Sequence, residues 1–233
     1  ARAFVGAPGT EEYRAYFDFL MEHEQYEAAK ALWKEIAKRY YGGGRPDDLS
    51  FWNGDFEREA NFPGGLEWQI SEQLPPGVRV TVAAPMGIND NRRLQIRFAG
   101  QSNLSFHHVR HRFFVEPEKT YRLRYWARAV DITTVSGPYI RITIPGDPGG
   151  PIESEMLRGT EAEFFQETIR VPPECHWGML EIRRDRMPPY EKIDKEIAGE
   201  IHYDDFELIE ESPTESGSDG DVPAVVSMGQ SDF

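Results

Sequence analysis

The stretch TYRLRYWARA, residues 120–129, combines the residue types best suited to ligand chemistry in this chain. Successive side chains of an extended strand point to opposite faces, so the stretch predicts an apolar face and an outward face. Tyr121, Leu123, Tyr125 and Ala127 fall on the apolar face, whereas Arg122, Arg124, Trp126 and Arg128 fall on the outward face. Aromatic rings stack on the apolar side of a pyranose, and guanidinium groups donate paired hydrogen bonds to hydroxyls or carboxylates. The outward face therefore has the chemistry of a sugar-binding surface.

Two neighbouring stretches are predicted to enlarge this outward face. VRHRFFV and YIRITI alternate in the same way and add Arg110, Arg112, Tyr139 and Arg141 to the outward set. We expect all six arginines on one face, for which an acidic polysaccharide or oligosaccharide is the best ligand. Trp177 follows a Pro-Pro turn and is a further candidate for lining a loop site. The alternative is a solvated or helix-covered face whose arginines pair with the acidic residues of the chain.

The sequence gives little support for catalysis. It contains no Gly-x-Ser-x-Gly nucleophile elbow, and Asp and Glu are too abundant for a hydrolytic carboxylate pair to stand out. The stretch HHVRH resembles a metal motif, but His107 and His111 lie about 13 Å apart in a strand, which is too far for a shared ion. We therefore predict no catalytic residues and a protein that is not an enzyme.

The composition of the chain limits the classes of partner that the protein can bind. The chain has 26 Lys and Arg against 40 Asp and Glu, a net charge of −14, which argues against nucleic acid because phosphates need a cationic surface. No apolar run approaches the roughly 20 residues that span a bilayer, so we expect no membrane span in this segment. The single cysteine, Cys175, excludes an intrachain disulfide. The start, ARAFVGAPGT, lacks an initiating Met and a signal-peptide core, and we expect a piece of a longer protein.

Periodicity predicts a mainly β fold. Eight short segments between residues 49 and 210 alternate apolar with polar or small residues, and turn residues separate them. Eight strands in about 160 residues, with hardly any helix between them, indicate an antiparallel β-sandwich. Residues 42–48, GGGRPDD, are typical of a linker, and residues 211–233 form an acidic Ser- and Gly-rich tail that we expect to be disordered.

Residues 1–41 predict an N-terminal α-helical hairpin. Apolar residues recur at spacings of three and four, and the period breaks at HEQ. The second half resembles a tetratricopeptide-type repeat, with Tyr26, Ala29 and Leu32 at the packing positions. A solitary repeat cannot bury its own face, so we expect upstream helical repeats of the same protein, with this hairpin as the last. Its apolar residues should pack on each other and partly on the sandwich: Phe17, Leu20, Leu32 and Trp33.

The order of motifs in the sandwich resembles a known family. NGDFE, GLEWQI, RRLQIRFAG, VEPEKTYRLRYWARA and YDDFELI follow one another as in the jelly-roll carbohydrate-binding modules attached to xylanases and other glycanases. These modules belong to the galactose-binding-like superfamily, and the resemblance covers nearly all of residues 50–210. It implies a jelly roll that binds polysaccharide without catalysis. It also favours an extracytoplasmic location, either periplasmic or at the cell surface.

The resemblance further implies a structural calcium ion where the first and last segments of the sandwich meet. Carried over by position, Asp204 and Glu57 supply carboxylates, and backbone carbonyls come from Asp55 and from near Arg92. Calcium takes six to eight oxygen ligands of these kinds. The alternative is that Asp204 and Glu57 only cap turns by accepting hydrogen bonds from backbone amides.

Two functions remain open at this point. The first is a noncatalytic carbohydrate-binding module at the C-terminus of a helical-repeat protein. The second is a structural or protein-interaction β-sandwich that has lost sugar binding, since fold alone does not determine function. The environment of Trp126 discriminates between them, because a platform for sugar must be accessible.

Overall fold

The structure, a computed structural model, describes residues 9–42, 51–59, 62, 64–83, 91–100, 102–159, 161–188 and 195–211. Most of the predicted linker and all but the first residue of the predicted tail lie outside these ranges. The two predicted helices are present as α1 (Thr10–Glu22) and α2 (Tyr26–Tyr41). Gly42 follows α2 with a left-handed φ of 71°, a conformation that suits glycine at a helix C-terminus.

Ten strands make up the rest of the described chain. They are β1 (Gln69–Ile70), β2 (Val78–Ala83), β3 (Arg93–Ala99), β4 (Phe106–Phe114), β5 (Thr120–Val130), β6 (Tyr139–Thr143), β7 (Ile152–Glu153), β8 (Glu163–Arg170), β9 (Trp177–Arg184) and β10 (Ala198–Glu210). All eight predicted strands are present. The two additional strands, β1 and β7, have two residues each, which is too short to produce an alternating pattern.

The strands form two five-stranded antiparallel sheets. The first sheet has the order β1-β4-β9-β6-β7, and the second has the order β2-β3-β10-β5-β8. Both sheets bury the alternate residues of their strands, so Leu123 and Tyr125 of β5 share the core with Val109 and Phe113 of β4. The predicted mainly β antiparallel sandwich with an N-terminal helical hairpin is therefore confirmed.

A second apolar core joins the hairpin to one end of the sandwich. The ring of Trp33 on α2 meets Trp52 edge-on at 5.6 Å between centroids and Phe62 at 5.5 Å. Phe17 on α1 lies 6.5 Å from Phe114 at the end of β4. Phe17, Trp33 and Leu20 are buried in this core, and Leu32 packs against it half-buried. The expected packing of the hairpin on the sandwich is confirmed.

The NGDFE and YDDFEL segments meet where β10, the central strand of the second sheet, extends beyond its pairing with β3. The amide of Phe206 donates to the carbonyl of Gly54 at 3.0 Å. A Cβ atom on Gly54 would lie 2.0 Å from the carbonyl oxygen of Phe206, so only glycine permits this approach. The register of β10 against β5 shifts between Asp204 and Glu207, and Asp205 takes a left-handed φ of 51°. The turn and this bulge together shape the surface described next.

Candidate functional site

The outer face of the second sheet carries Trp126, as the alternation predicted. Trp126 pairs across strands with Asp204 on β10 and with Phe164 on β8. Phe164 is 51% exposed, and Trp126 is half-buried. The guanidinium of Arg93 lies 5.2 Å from the centre of the Trp126 ring. An aromatic pair, the exposed Phe164 and the half-buried Trp126, therefore lies on the outer face of β8 and β5.

Phe164 was not among the residues singled out from the sequence. In FFQETIRVP one of the two adjacent phenylalanines must face outward, and this alternation is the signal that could have identified it. The guanidinium of Arg124 lies 4.1 Å from the centre of the Phe164 ring. Arg124 and Arg128 have no ion pair among the described residues, whereas Arg122 pairs with Glu211 at 3.0 Å.

The prediction that six arginines share one face is wrong. Arg110 and Arg112 lie on β4 and Arg141 lies on β6, and both strands belong to the first sheet. Tyr139 and Trp177 also lie on strands of that sheet, on the opposite side of the sandwich from Trp126. The alternation tells which side of its own strand a residue takes, but it does not tell which sheet the strand joins.

The residues on the first sheet already have partners within the protein. Arg112 pairs with Asp18 of α1 at 3.2 Å and lies over the half-buried Trp177 ring beside the hairpin. Arg110 donates to the side chain of Gln69, and Arg141 donates to Glu153. Tyr139 is buried, its hydroxyl donates to Asp185 at 2.7 Å, and its burial raises the pKa of the hydroxyl. The first sheet therefore matches the alternative given above, a solvated or helix-covered face whose arginines have partners within the chain.

A cleft of about 390 Å³ opens beside Phe164 and Arg124, where the NGDFE turn meets the bulge of β10. Its lining consists of Phe51, Trp52, Asn53, Gly54, Asp55, Arg58, Arg124, Phe164, Asp205, Phe206 and Glu207. Two guanidinium groups and three carboxylates therefore face the same space. Such a mixture can donate to and accept from the hydroxyl groups of one ligand.

A buried carboxylate, Glu67, supports one wall of the cleft. Its Oε1 atom accepts from the Asn53 side chain at 3.1 Å and from the Trp68 amide at 3.0 Å. Trp52 and Tyr41 donate to its Oε2 atom. Burial raises the pKa of Glu67, and these hydrogen bonds oppose the rise. Glu67 was not among the residues predicted from the sequence, although an acidic side chain within the apolar stretch GLEWQI is the signal for it.

Of the residues proposed for calcium, Asp204 is the most buried, with 3% of its surface exposed. Its Oδ1 atom accepts from the Asp205 amide at 2.9 Å, and its Oδ2 atom accepts from Asn91 at 3.1 Å. Burial is the main cause that raises the pKa of Asp204 to about 7. The charges of Asp205 and Glu57 add to the rise, whereas Arg93 opposes it.

Glu57 and Asp55 take part in turn hydrogen bonds. Glu57 accepts from the Arg92 amide at 2.5 Å, and Asp55 accepts from the Glu57 amide at 3.3 Å. These contacts are of the kind expected if the carboxylates cap turns and do not bind calcium. Within the described ranges no three His, Cys, Asp or Glu side chains are grouped to hold a metal.

No family model and no curated protein matches the sequence. Several solved structures are similar in part. A family 4 carbohydrate-binding module is 19% identical, with a TM-score of 0.43 over 70% of this chain and 100% of that chain. A family 61 module in complex with β-1,4-galactotriose is 18% identical, with a TM-score of 0.39 over 71% and 97%. The enzymatically active domain of bacteriophage CBA120 tailspike protein 4 is 16% identical, with a TM-score of 0.43 over 70% and 21%.

Neither α1, with 13 residues, nor α2, with 16 residues, is long and apolar enough to cross a membrane.

Proposed function

We propose that this chain is a noncatalytic carbohydrate-binding module whose ligand lies on the outer face of the second sheet. The observation that carries the proposal is the exposed Phe164 ring, which lines the cleft, contacts the guanidinium of Arg124 and pairs across strands with Trp126. Aromatic rings offer a sugar an apolar stacking surface, and the guanidinium groups and carboxylates nearby can bind its hydroxyls. Weak binding, in the micromolar to millimolar range, is expected from a contact area of this size.

The charge of the cleft favours a neutral polysaccharide or oligosaccharide. The expectation of an acidic glycan rests on six arginines sharing one face, and they do not. Asp55, Asp205 and Glu207 line the cleft together with Arg58 and Arg124, so carboxylates outnumber guanidinium groups. A uronate would meet these carboxylates, whereas a neutral sugar can accept from the arginines and donate to the acids.

Screening of glycans against the wild-type chain and its Phe164→Ala variant tests the proposal. Loss of the exposed ring should weaken binding of the best neutral glycan about fivefold, because ring stacking of this kind contributes on the order of 1 kcal/mol. Phe19→Ala is the matched control, since Phe19 on α1 is also a largely exposed phenylalanine, at 45%. Equal affinity of wild type and Phe164→Ala would contradict this binding surface.

We further propose a structural calcium ion between the NGDFE and YDDFEL segments. Asp204 and Glu57 would supply carboxylates, with backbone carbonyls of Asp55 and Arg92. The ion would offset the buried negative charge of Asp204 and tie together two segments that are far apart in the sequence. The shared hydrogen bond between Gly54 and Phe206 supports this location.

The hairpin is proposed to be the last of several helical repeats in the same protein. Tyr16 and Phe19 on α1 support this, because both rings are exposed and stack 6.3 Å apart on the side away from the sandwich core. An aromatic ridge of this kind is costly in water and is typical of a surface that another helix covers. The same ridge favours the second candidate function, a protein-interaction module. The family resemblance favours an extracytoplasmic location.

A further inference from the structure

Glu67 connects three separate parts of the molecule. It is 1% exposed and lies between the hairpin and the sandwich. The Tyr41 hydroxyl, at the end of α2, donates to Oε2 at 2.6 Å. The Trp52 indole donates to the same oxygen at 3.3 Å, and the Asn53 side chain donates to Oε1 at 3.1 Å. The Trp68 amide completes the set at 3.0 Å.

Two of these four donors belong to the cleft. Trp52 and Asn53 both line it, and the Asn53 side chain also accepts from the Arg58 amide at 3.1 Å. The Tyr41 ring meets the Trp52 ring edge-on at 5.2 Å between centroids. The end of α2 is therefore joined to the cleft wall through one carboxylate and one aromatic contact.

We infer that Glu67 is a positioning residue that couples the docking of α2 to the shape of the cleft. A buried carboxylate is stable only when its oxygen lone pairs have donors, so it stays where Tyr41, Trp52 and Asn53 can all reach it. If the Tyr41 hydroxyl is removed, the remaining donors to Glu67 among the described residues are the Trp68 amide and the two cleft residues, Trp52 and Asn53, so the carboxylate loses its tie to α2 and can move towards the cleft. Asn53, which holds the turn with a left-handed φ of 53°, moves with it.

The coupling acts in both directions. If the position of α2 changes the affinity of the cleft, then a ligand in the cleft must stabilise the end of α2 by the same factor. The effect on sugar affinity rests on the proposed carbohydrate-binding function. The effect on the turn itself does not, and it can be measured without any ligand.

Hydrogen exchange of the free protein tests the coupling. In Tyr41→Phe, the amides of residues 53–56 should exchange about tenfold faster than in wild type, because a hydrogen bond to a charged group has been removed. Tyr26→Phe is the matched control, since Tyr26 lies at the other end of α2 and stacks on His176 at 4.7 Å. In Tyr26→Phe, the amides of residues 53–56 should exchange at the wild-type rate. Unchanged exchange of residues 53–56 in Tyr41→Phe would overturn the inference.

A second measurement separates coupling from a purely structural role. With the best neutral glycan bound, wild type should gain protection at residues 38–41, and Tyr41→Phe should not gain it and should bind severalfold more weakly. A structural contact alone would lower the melting temperature without removing this ligand-induced protection. Equal affinity and equal protection in the two proteins would overturn the inference. If wild type binds no glycan, the proposed function fails, and the exchange of the free protein alone decides the coupling.

Discussion

Asp204 gives the candidate metal site a definite dependence on pH. Its pKa is raised from an ordinary value of 3.8 to about 7 in the folded protein. The protonated form is therefore favoured by folding, so the stabilisation is complete below about pH 4 and is lost as the pH rises through 7. In the presence of a chelator we expect Asp204→Asn to melt at a higher temperature than wild type at pH 8. The difference should shrink as the pH falls towards 4, as followed by thermal denaturation.

In the presence of calcium, Asp204→Asn should lower the melting temperature relative to wild type instead of raising it. A cation beside Asp204 favours the ionised carboxylate, so wild type gains stability and Asp204→Asn gains little. At a calcium concentration 100 times its dissociation constant, the gain for wild type is about 2.7 kcal/mol. Glu57→Gln should lose most of the same gain. A wild-type melting temperature that is identical in chelator and in excess calcium would contradict the site.

At the residue scale, the sequence predicted which face of its strand a side chain takes better than it predicted which residues surround that side chain. The outward position of Trp126 follows from the alternation of β5, and the structure agrees. The roles of Phe164 and Glu67 could not be predicted from alternation in the same way. The importance of Phe164 depends on its pairing partner in β5. The importance of Glu67 depends on a hydrogen bond from Tyr41, which lies on a helix 26 residues away in the sequence.

At the scale of elements, strand periodicity identified the strands but could not assign them to sheets. The strands β4 and β5 are neighbours in sequence and share the same pattern of arginines, yet they lie in opposite sheets. A jelly roll alternates its strands between two sheets, so sequence neighbours are often not spatial neighbours. This topology is why Arg110, Arg112 and Arg141 are separated from Arg124.

The contact between the hairpin and the sandwich should contribute strongly to stability. Trp33 is fully buried, and it packs against Trp52 and Phe62. Trp33→Ala should therefore lower the free energy of unfolding by about 3–5 kcal/mol, measured by chemical denaturation. Tyr16→Ala is the control, because its side chain is 53% exposed and should change stability by less than about 0.5 kcal/mol. Similar losses in the two variants would mean that the hairpin is not docked as described.

At the scale of the whole molecule, the two faces of the sandwich differ. The first sheet is covered at one end by the hairpin, and its arginines have partners within the protein. The second sheet keeps Phe164 and Arg124 open to solvent beside the half-buried Trp126. The sequence predicted the mainly β sandwich and the hairpin, because both depend on local periodicity. It could not predict which face stays open, because that depends on where the hairpin docks.

Salt should have little effect on ligand binding by this molecule. The net charge is −14, and the cleft contains more carboxylates than guanidinium groups. Binding of a neutral glycan relies on stacking and short hydrogen bonds, which persist when the Debye length falls to about 3 Å at 1 M salt. Calorimetric affinities at about 0.1 M and 1 M salt should therefore agree within a factor of two or three. A loss of binding at high salt would contradict a site that binds a neutral glycan through stacking and short hydrogen bonds.

The most direct test of the account is a titration of the best neutral oligosaccharide into wild type, Phe164→Ala and Phe19→Ala. The two variants each remove one exposed phenylalanine, but only Phe164 stands beside Trp126 and the cleft. The account predicts that Phe164→Ala weakens binding about fivefold and that Phe19→Ala leaves it unchanged. Equal binding by wild type and Phe164→Ala would contradict the claim that the second sheet binds carbohydrate.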